Sequence, residues 1–291
     1  MANQFHVAQS KRIIGAGLFA GGPYYCAKGS MMTATTTCMS MPTSINVATL
    51  KTQTQTYANS GLVDPLSNLA DSRVFIFSGT KDTTVVPAVV KKQEEYYASY
   101  ITSAGALKTV YDVAAVHGMP TDYYGGACGT SNLEYINNCG YNGAFEALNH
   151  IYGGTLQKPS SGAALTGQLI LFDQSEFFKL AAPSTYGMDT AGYIYVPAAC
   201  QSGAQCKLHI VFHGCLQARE KLGDKYARNT GYNQVADLNN FIILYPQAKS
   251  NMSNMNGCWD WWGFSSSAYA NKNGYQMTGV ERMMLRTLGL Y

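Results

Sequence analysis

Four short strings carry residues whose types and placement could do chemistry, and each comes after an apolar run. Thr80-Lys81-Asp82-Thr83-Thr84 follows the run from Arg73 to Gly79, and His117-Gly118-Met119-Pro120 follows the run from Lys108 to Val116. His213-Gly214-Cys215-Leu216-Gln217 follows Lys207 to Phe212, and Cys258-Trp259-Asp260-Trp261-Trp262 lies beyond Phe241 to Pro246. In an open α/β sheet, reactive groups collect at the carboxyl ends of strands. Asp82 and then His117 suit an orienting acid and a general base. The carboxylate accepts a proton from one ring nitrogen and fixes the tautomer, leaving the other nitrogen to take a proton from a nucleophile. Each residue alone has a plainer use, since an Asp after a strand commonly serves a turn or a cap. The ordered pair carries the reading.

His213-Gly214-Cys215 has the form of an oxyanion loop, whose backbone N–H groups face the negative charge that develops on an acyl intermediate. Its simpler use is a tight turn anchored by a disulfide, and the two uses are compatible. Trp259, Trp261 and Trp262 are the three tryptophans of the chain. Their clustering suits an apolar crevice, with at least one of them packed in the core. The nucleophile is harder to find. No G-x-S-x-G string occurs; Gly17-Leu18-Phe19-Ala20-Gly21 puts Phe at the reactive place, and Ser265, Ser266 and Ser267 lack the glycine frame. Cys128, in Gly-Gly-Ala-Cys-Gly, reads as a half-cystine rather than a reactive thiol.

The cysteines number eight and contain no C-x-x-C pair, so the spacing of a zinc ribbon is missing. Short-range closure suggests Cys26–Cys38, Cys128–Cys139 and Cys200–Cys206, which leaves Cys215–Cys258. Disulfides imply an oxidising compartment. Yet Met1 is followed by Ala-Asn-Gln-Phe-His-Val-Ala-Gln-Ser, which lacks the basic end, apolar core and small-residue site of a secretory leader.

The elements that would position these groups alternate. Residues 1–12 read as the remains of a helix, and Ile13 to Gly22 as a buried strand entering a Gly-rich loop. Residues 28–60 read as loop with one short helix near Ile45–Leu50. Strands are expected at 73–79, 108–116, 192–197, 207–213 and 241–246, and helices at 86–100, 143–152, 228–239 and 279–290. Such alternation predicts an α/β fold with a largely parallel sheet, in one domain spanning residues 1–291. The chain of 291 residues is 46% hydrophobic and 13% charged, against roughly 25% charged in an average domain. A net charge of +3 without a basic run speaks against a nucleic-acid partner, and no apolar stretch is long enough to span a membrane. Nothing signals an oligomer, so a monomer is expected.

Taken together, the strings GLFAGGPYYCA, SGTKDTTVVP, AVHGMPTDYYG, GMDTAGYIYVP, FHGCLQ, NTGYNQVAD, FIILYPQA and NGCWDWWG resemble the extracellular poly(3-hydroxybutyrate) depolymerases. They are most similar to the single-domain fungal type, a circularly permuted α/β-hydrolase. The resemblance runs from about residue 1 to the C-terminus in the same order, and all eight cysteines fall in or beside the matching blocks. It implies that Asp82 is the triad acid, His117 the triad base, the Cys215 N–H one oxyanion donor, and Trp261 the aromatic lining of the substrate subsite. It implies a polyester substrate, secretion, and neither a metal nor an organic cofactor.

In that family the nucleophilic serine sits in a strand–turn–helix elbow followed by a helix that begins much like Met1-Ala2-Asn3-Gln4. The resemblance therefore implies that the serine, a second oxyanion N–H, the preceding strand and any leader lie upstream of Met1, and that residues 1–291 alone are inactive. Two other readings keep part of the pattern. A feruloyl or other carbohydrate esterase would share the fold but needs polar subsites. A non-catalytic surface-binding pseudoenzyme would have kept the crevice and lost the serine.

Overall fold

The computed structural model describes residues 1–291. A three-stranded parallel sheet, in the order β1-β2-β3, is made of β1 (Gly15–Phe19), β2 (Arg73–Phe77) and β3 (Leu107–Val110). A small parallel sheet of β4 (Met119–Thr121), β5 (Gly126–Ala127) and β6 (Ile136–Asn138) follows, with β6 central. The last sheet contains β7 (Gln168–Asp173), β8 (Ala191–Val196), β9 (Lys207–Ile210) and β10 (Phe241–Tyr245), in the order β7-β8-β10-β9. Every pairing is parallel except those of β8 with β7 and with β10.

Helices cover both faces. Val74 and Ile76 of β2 pack with Val89, Val90, Tyr96 and Tyr97 of the helix Pro87–Ala98. Phe75 and Phe77, which alternate with them, face Ala147 of the helix Gly143–Ile151. Burial on both faces is what an apolar run without polar alternation demands. β10 divides in the same way. Phe241, Ile243 and Tyr245 face Val235 and Ala236 of the helix Tyr232–Asn239, while Leu244 joins the cluster that contains Met277, Val280, Met283 and Met284 of the helix Tyr275–Thr287.

Several expected elements have different limits. The expected strand 108–116 stops at Val110, because the next residues zip onto another loop: Thr80 donates to the Val113 carbonyl and Lys81 to that of Ala115. The expected helix 228–239 divides at Thr230-Gly231, where Gly231 has φ +88°, into Lys225–Asn229 and Tyr232–Asn239. Residues 28–60 hold more helix than expected. Met31–Thr35, Thr37–Ser40 and Val47–Asn59 are helical, the last capped by the Asn46 side chain on the Thr49 N–H. Only Val47, Leu50 and Thr54 of that helix are buried, so its sequence shows no apolar period. β7 was not expected at all; it is an outer strand with Ile170 and Leu171 exposed. No helix is long and apolar enough to cross a membrane.

β1 pairs with β2 alone, and β9 with β10 alone. Each therefore keeps one open edge, and both edges line one cavity of about 890 Å³.

Candidate active site

The two loops that carry Asp82 and His117 are held together by the zipper just described, which Gly79 permits: a Cβ there would collide with the Ala115 carbonyl. Asp82 is 3% exposed. One of its oxygens accepts the backbone N–H groups of Thr84 and Val85, both at 2.9 Å. The other meets His117 Nδ1 at 2.8 Å. Since a carboxylate accepts, Nδ1 carries the proton and Nε2 is left as an acceptor. Nε2 has no partner within the chain, and His117 lines the cavity with its ring edge-on to Tyr135.

The turn after β9 lines the same cavity. His213 is 3% exposed; its Nδ1 donates to the Gly214 carbonyl at 2.7 Å, and its Nε2 accepts the Ala248 N–H at 3.1 Å. Burial pushes this imidazole down to about 4, so it stays neutral and works as a peg rather than a base. Gln217 holds the turn from the other side. Its Oε1 accepts the Gly214 N–H at 2.8 Å, and its Nε2 donates to the carbonyls of Glu134 at 2.9 Å and Tyr135 at 3.0 Å. The turn is thereby tied to the wall beside His117. The Cys215 N–H makes no hydrogen bond within the chain and is free for an anion.

All four disulfides form as the spacing suggests: Cys26–Cys38, Cys128–Cys139, Cys200–Cys206 and Cys215–Cys258. Cys128 is accordingly no free thiol. The last bond joins the Cys215 turn to the tryptophan string. All three tryptophans line the cavity, but unequally. Trp259 is 4% exposed and packs on Phe212 and His213; Trp262 is 8% exposed and lies against Phe264. Trp261, set edge-on to Trp262, is the more accessible ring. Asp260 between them shapes the loop: its carboxylate accepts the N–H groups of Gly263, Phe264 and Ser265 and the Ser265 hydroxyl. Neither Ser265, Ser266 nor Ser267 lines the cavity, and no serine or cysteine bonds to His117.

Neither Gln217 nor Asp260 was singled out from the sequence. The first helix, Ala2–Ala8, also reaches this place. Asn3 donates to the Gly22 carbonyl at 2.8 Å, and Gln4 to that of Asp260 at 3.0 Å. Burial pushes the Met1 amine down to about 5 against the pull of Asp260.

Residues 191–283 match the family model described as Esterase PHB depolymerase. The chain is 45% identical over 289 residues to the poly(3-hydroxybutyrate) depolymerase of Delftia acidovorans, covering 98% of this chain but 57% of that relative's length. It is 38% identical over 298 residues to the polyhydroxybutyrate depolymerase of Talaromyces funiculosus, covering 96% of this chain and 84% of the relative. Two solved structures are similar at 34% identity, each over 99% of this chain and 92% of theirs. One is a PHB depolymerase with a serine-to-alanine substitution complexed with an R3HB trimer, with a TM-score of 0.88. The other is the PHB depolymerase from Penicillium funiculosum, with a TM-score of 0.87. The fold is accordingly of the α/β-hydrolase type. Likeness of this degree along nearly the whole chain establishes it as a member of the polyhydroxybutyrate depolymerase family.

Proposed function

We propose that residues 1–291 form the acid–base and substrate-holding part of a secreted, monomeric serine esterase with a single catalytic domain, which hydrolyses the ester bonds of poly(3-hydroxybutyrate). The observation that carries this reading is the Asp82–His117 pair at 2.8 Å, with an unpartnered Nε2 on a cavity that also holds the Cys215 N–H and Trp261. The serine would come from a strand–turn segment joined ahead of Met1. A relative's complex with an R3HB trimer, in a variant whose serine is replaced by alanine, supports both the serine and the substrate class.

In this mechanism the serine hydroxyl gives its proton to His117 Nε2 as its oxygen attacks the ester carbonyl. Asp82 stabilises the imidazolium, and the Cys215 N–H faces the new oxyanion. Collapse breaks the ester bond, and the departing hydroxyl end takes the proton back from His117. Water then repeats the sequence on the acyl-enzyme and releases a hydroxybutyrate oligomer. Trp261 offers an apolar face to the repeating unit.

The test joins a strand carrying G-x-S-x-G ahead of Met1 and follows hydrolysis of a short-chain nitrophenyl ester. The extended protein should turn over; residues 1–291 alone should not exceed background. His117→Ala in the extended protein should lower kcat by about 10⁴-fold. Hydrolysis by residues 1–291 alone that disappears with His117→Ala would refute the proposal.

A further inference from the structure

Leu216, the residue after the proposed oxyanion donor, has φ +64°. A leucine keeps that left-handed conformation only where its surroundings enforce it. Its own N–H donates to the Asn256 carbonyl at 2.7 Å in the middle of the turn. The two ends are held from elsewhere. The segment after β10 grips the start of the turn through the Ala248 N–H, which donates to His213 Nε2 at 3.1 Å. It grips the far end through Gln247, whose Oε1 accepts the Arg219 N–H at 2.8 Å.

Gln247 is itself held on every side. Its Nε2 donates to the carbonyls of Tyr245 and Pro246 at 3.2 and 3.1 Å, which leaves its oxygen aimed at Arg219. Gln174 braces the backbone of the same residue, donating to the Gln247 carbonyl at 2.8 Å and accepting its N–H at 3.2 Å. Asp189 closes the ring. Its N–H also donates to the Gln247 carbonyl, and its carboxylate takes the Arg219 guanidinium through bonds of 3.0 and 2.8 Å. Gln174, Asp189 and Gln247 are buried, and none of the four residues lines the cavity. The ring therefore touches no substrate. It meets the backbone where a strained turn would otherwise relax, and relaxation at Leu216 would swing the neighbouring Cys215 N–H.

We propose that Gln247, braced by Gln174 and Asp189, is a positioning residue: it holds the turn in its left-handed form and so aims the Cys215 N–H at the ester oxygen. This rests on the serine-esterase reading for the reaction, but not for the geometry of the turn. A donor meets developing charge effectively only when its place is fixed beforehand, and a displacement of about 1 Å can cost about a hundredfold in rate.

The experiment removes the grip from both sides. Gln247→Met keeps the shape and loses the acceptor. Arg219→Pro loses the donated N–H. Ala218, with φ −63° and ψ 160°, already has the extended backbone that a following proline needs, and proline suits the first residue of the helix Arg219–Leu222. Arg219→Ala lacks the guanidinium too but keeps the N–H, and serves as its control. In residues 1–291, a positive φ gives Leu216 a strong NOE between its own amide and α protons. That signal should weaken in Gln247→Met and Arg219→Pro and persist in Arg219→Ala. In the serine-bearing protein the first two variants should lower kcat by about tenfold to a hundredfold, with KM within about twofold of the parent. Gln247→Glu, whose buried carboxyl can take a proton and keep both acceptor and donor, should recover most of the rate.

An unchanged kcat, even with a lower melting temperature, overturns the proposal, because Gln247 then only supports the fold. So does a KM that rises while kcat holds, or an undiminished Leu216 signal in both variants. If the serine-bearing parent hydrolyses no ester, the serine reading falls, and the Leu216 signal alone decides whether Gln247 holds the turn.

Discussion

Replacing Asp82 by Asn tests the acid–base pair at its most specific point. One Asp82 oxygen is claimed by two backbone donors, the N–H groups of Thr84 and Val85. An asparagine must keep its carbonyl oxygen there, because turning the amide would set its NH₂ against both donors. The NH₂ is then forced towards His117 Nδ1, at the position now 2.8 Å from a carboxylate oxygen. Nδ1 must become the acceptor, and the proton moves to Nε2, where the base is needed. The fold should survive, since both backbone bonds persist. Catalysis should not: a wrong tautomer lowers kcat by about 10⁴-fold, equivalent to about 5.5 kcal/mol. Two assays check this. The ¹⁵N shifts of the neutral His117 ring in residues 1–291 should place the proton on Nδ1, and on Nε2 in Asp82→Asn. Ester hydrolysis by the serine-bearing protein should fall by the stated factor. A variant with the same ring tautomer, or with kcat within tenfold of the parent, refutes the reasoning.

Acid should destabilise the fold through its buried histidines. Burial holds His6 and His213 each at about 4, against about 6.5 in an unfolded chain. The unfolded state therefore binds these protons first. Their contribution is complete above about pH 6.5 and is lost as pH falls towards 4, by about 1.4 kcal/mol per pH unit for each. Urea unfolding across that window should show the slope, and a flat midpoint contradicts it. Gly79→Ala, by forcing apart the loops of Asp82 and His117, should cost about 1–3 kcal/mol in thermal stability and lower kcat as well; an unchanged melting temperature argues against the contact. Removing Cys215–Cys258, which closes a sequence separation of 43, should destabilise by about 4 kcal/mol in the chain-entropy account. Denaturant unfolding of the double alanine variant measures it, and a loss below about 1 kcal/mol would discount that account.

Asp82, His117 and Cys215 were legible because each stands where an apolar run breaks into polar residues, and strand ends in an α/β sheet are where such residues act. The disulfides were legible because short closures between half-cystines leave a single remaining pair. Gln217 and Asp260 were not, for a physical reason. Gln217 acts by bonding the carbonyls of Glu134 and Tyr135, 83 and 82 positions away, and Asp260 by gathering a turn that only the folded loop creates. Neither leaves a pattern in its own neighbourhood. Of the helix Val47–Asn59 only a short stretch near Ile45–Leu50 was expected, because a cap and a buried Thr54–Tyr96 hydroxyl pair stabilise the whole in place of an apolar stripe. That the strands form separate sheets with open edges depends on pairing partners, which residue patterns do not specify.

The bond between Cys215 and Cys258 couples two grips that could otherwise drift independently. In the proposed enzyme, the turn beside it meets charge at the carbonyl while the neighbouring aromatic ring meets the body of the repeating unit. A covalent tie between their loops makes the distance between those grips a fixed length. On that proposal the site would act as a ruler for the polymer repeat, and a polyester with a longer backbone between esters would register badly at one end or the other.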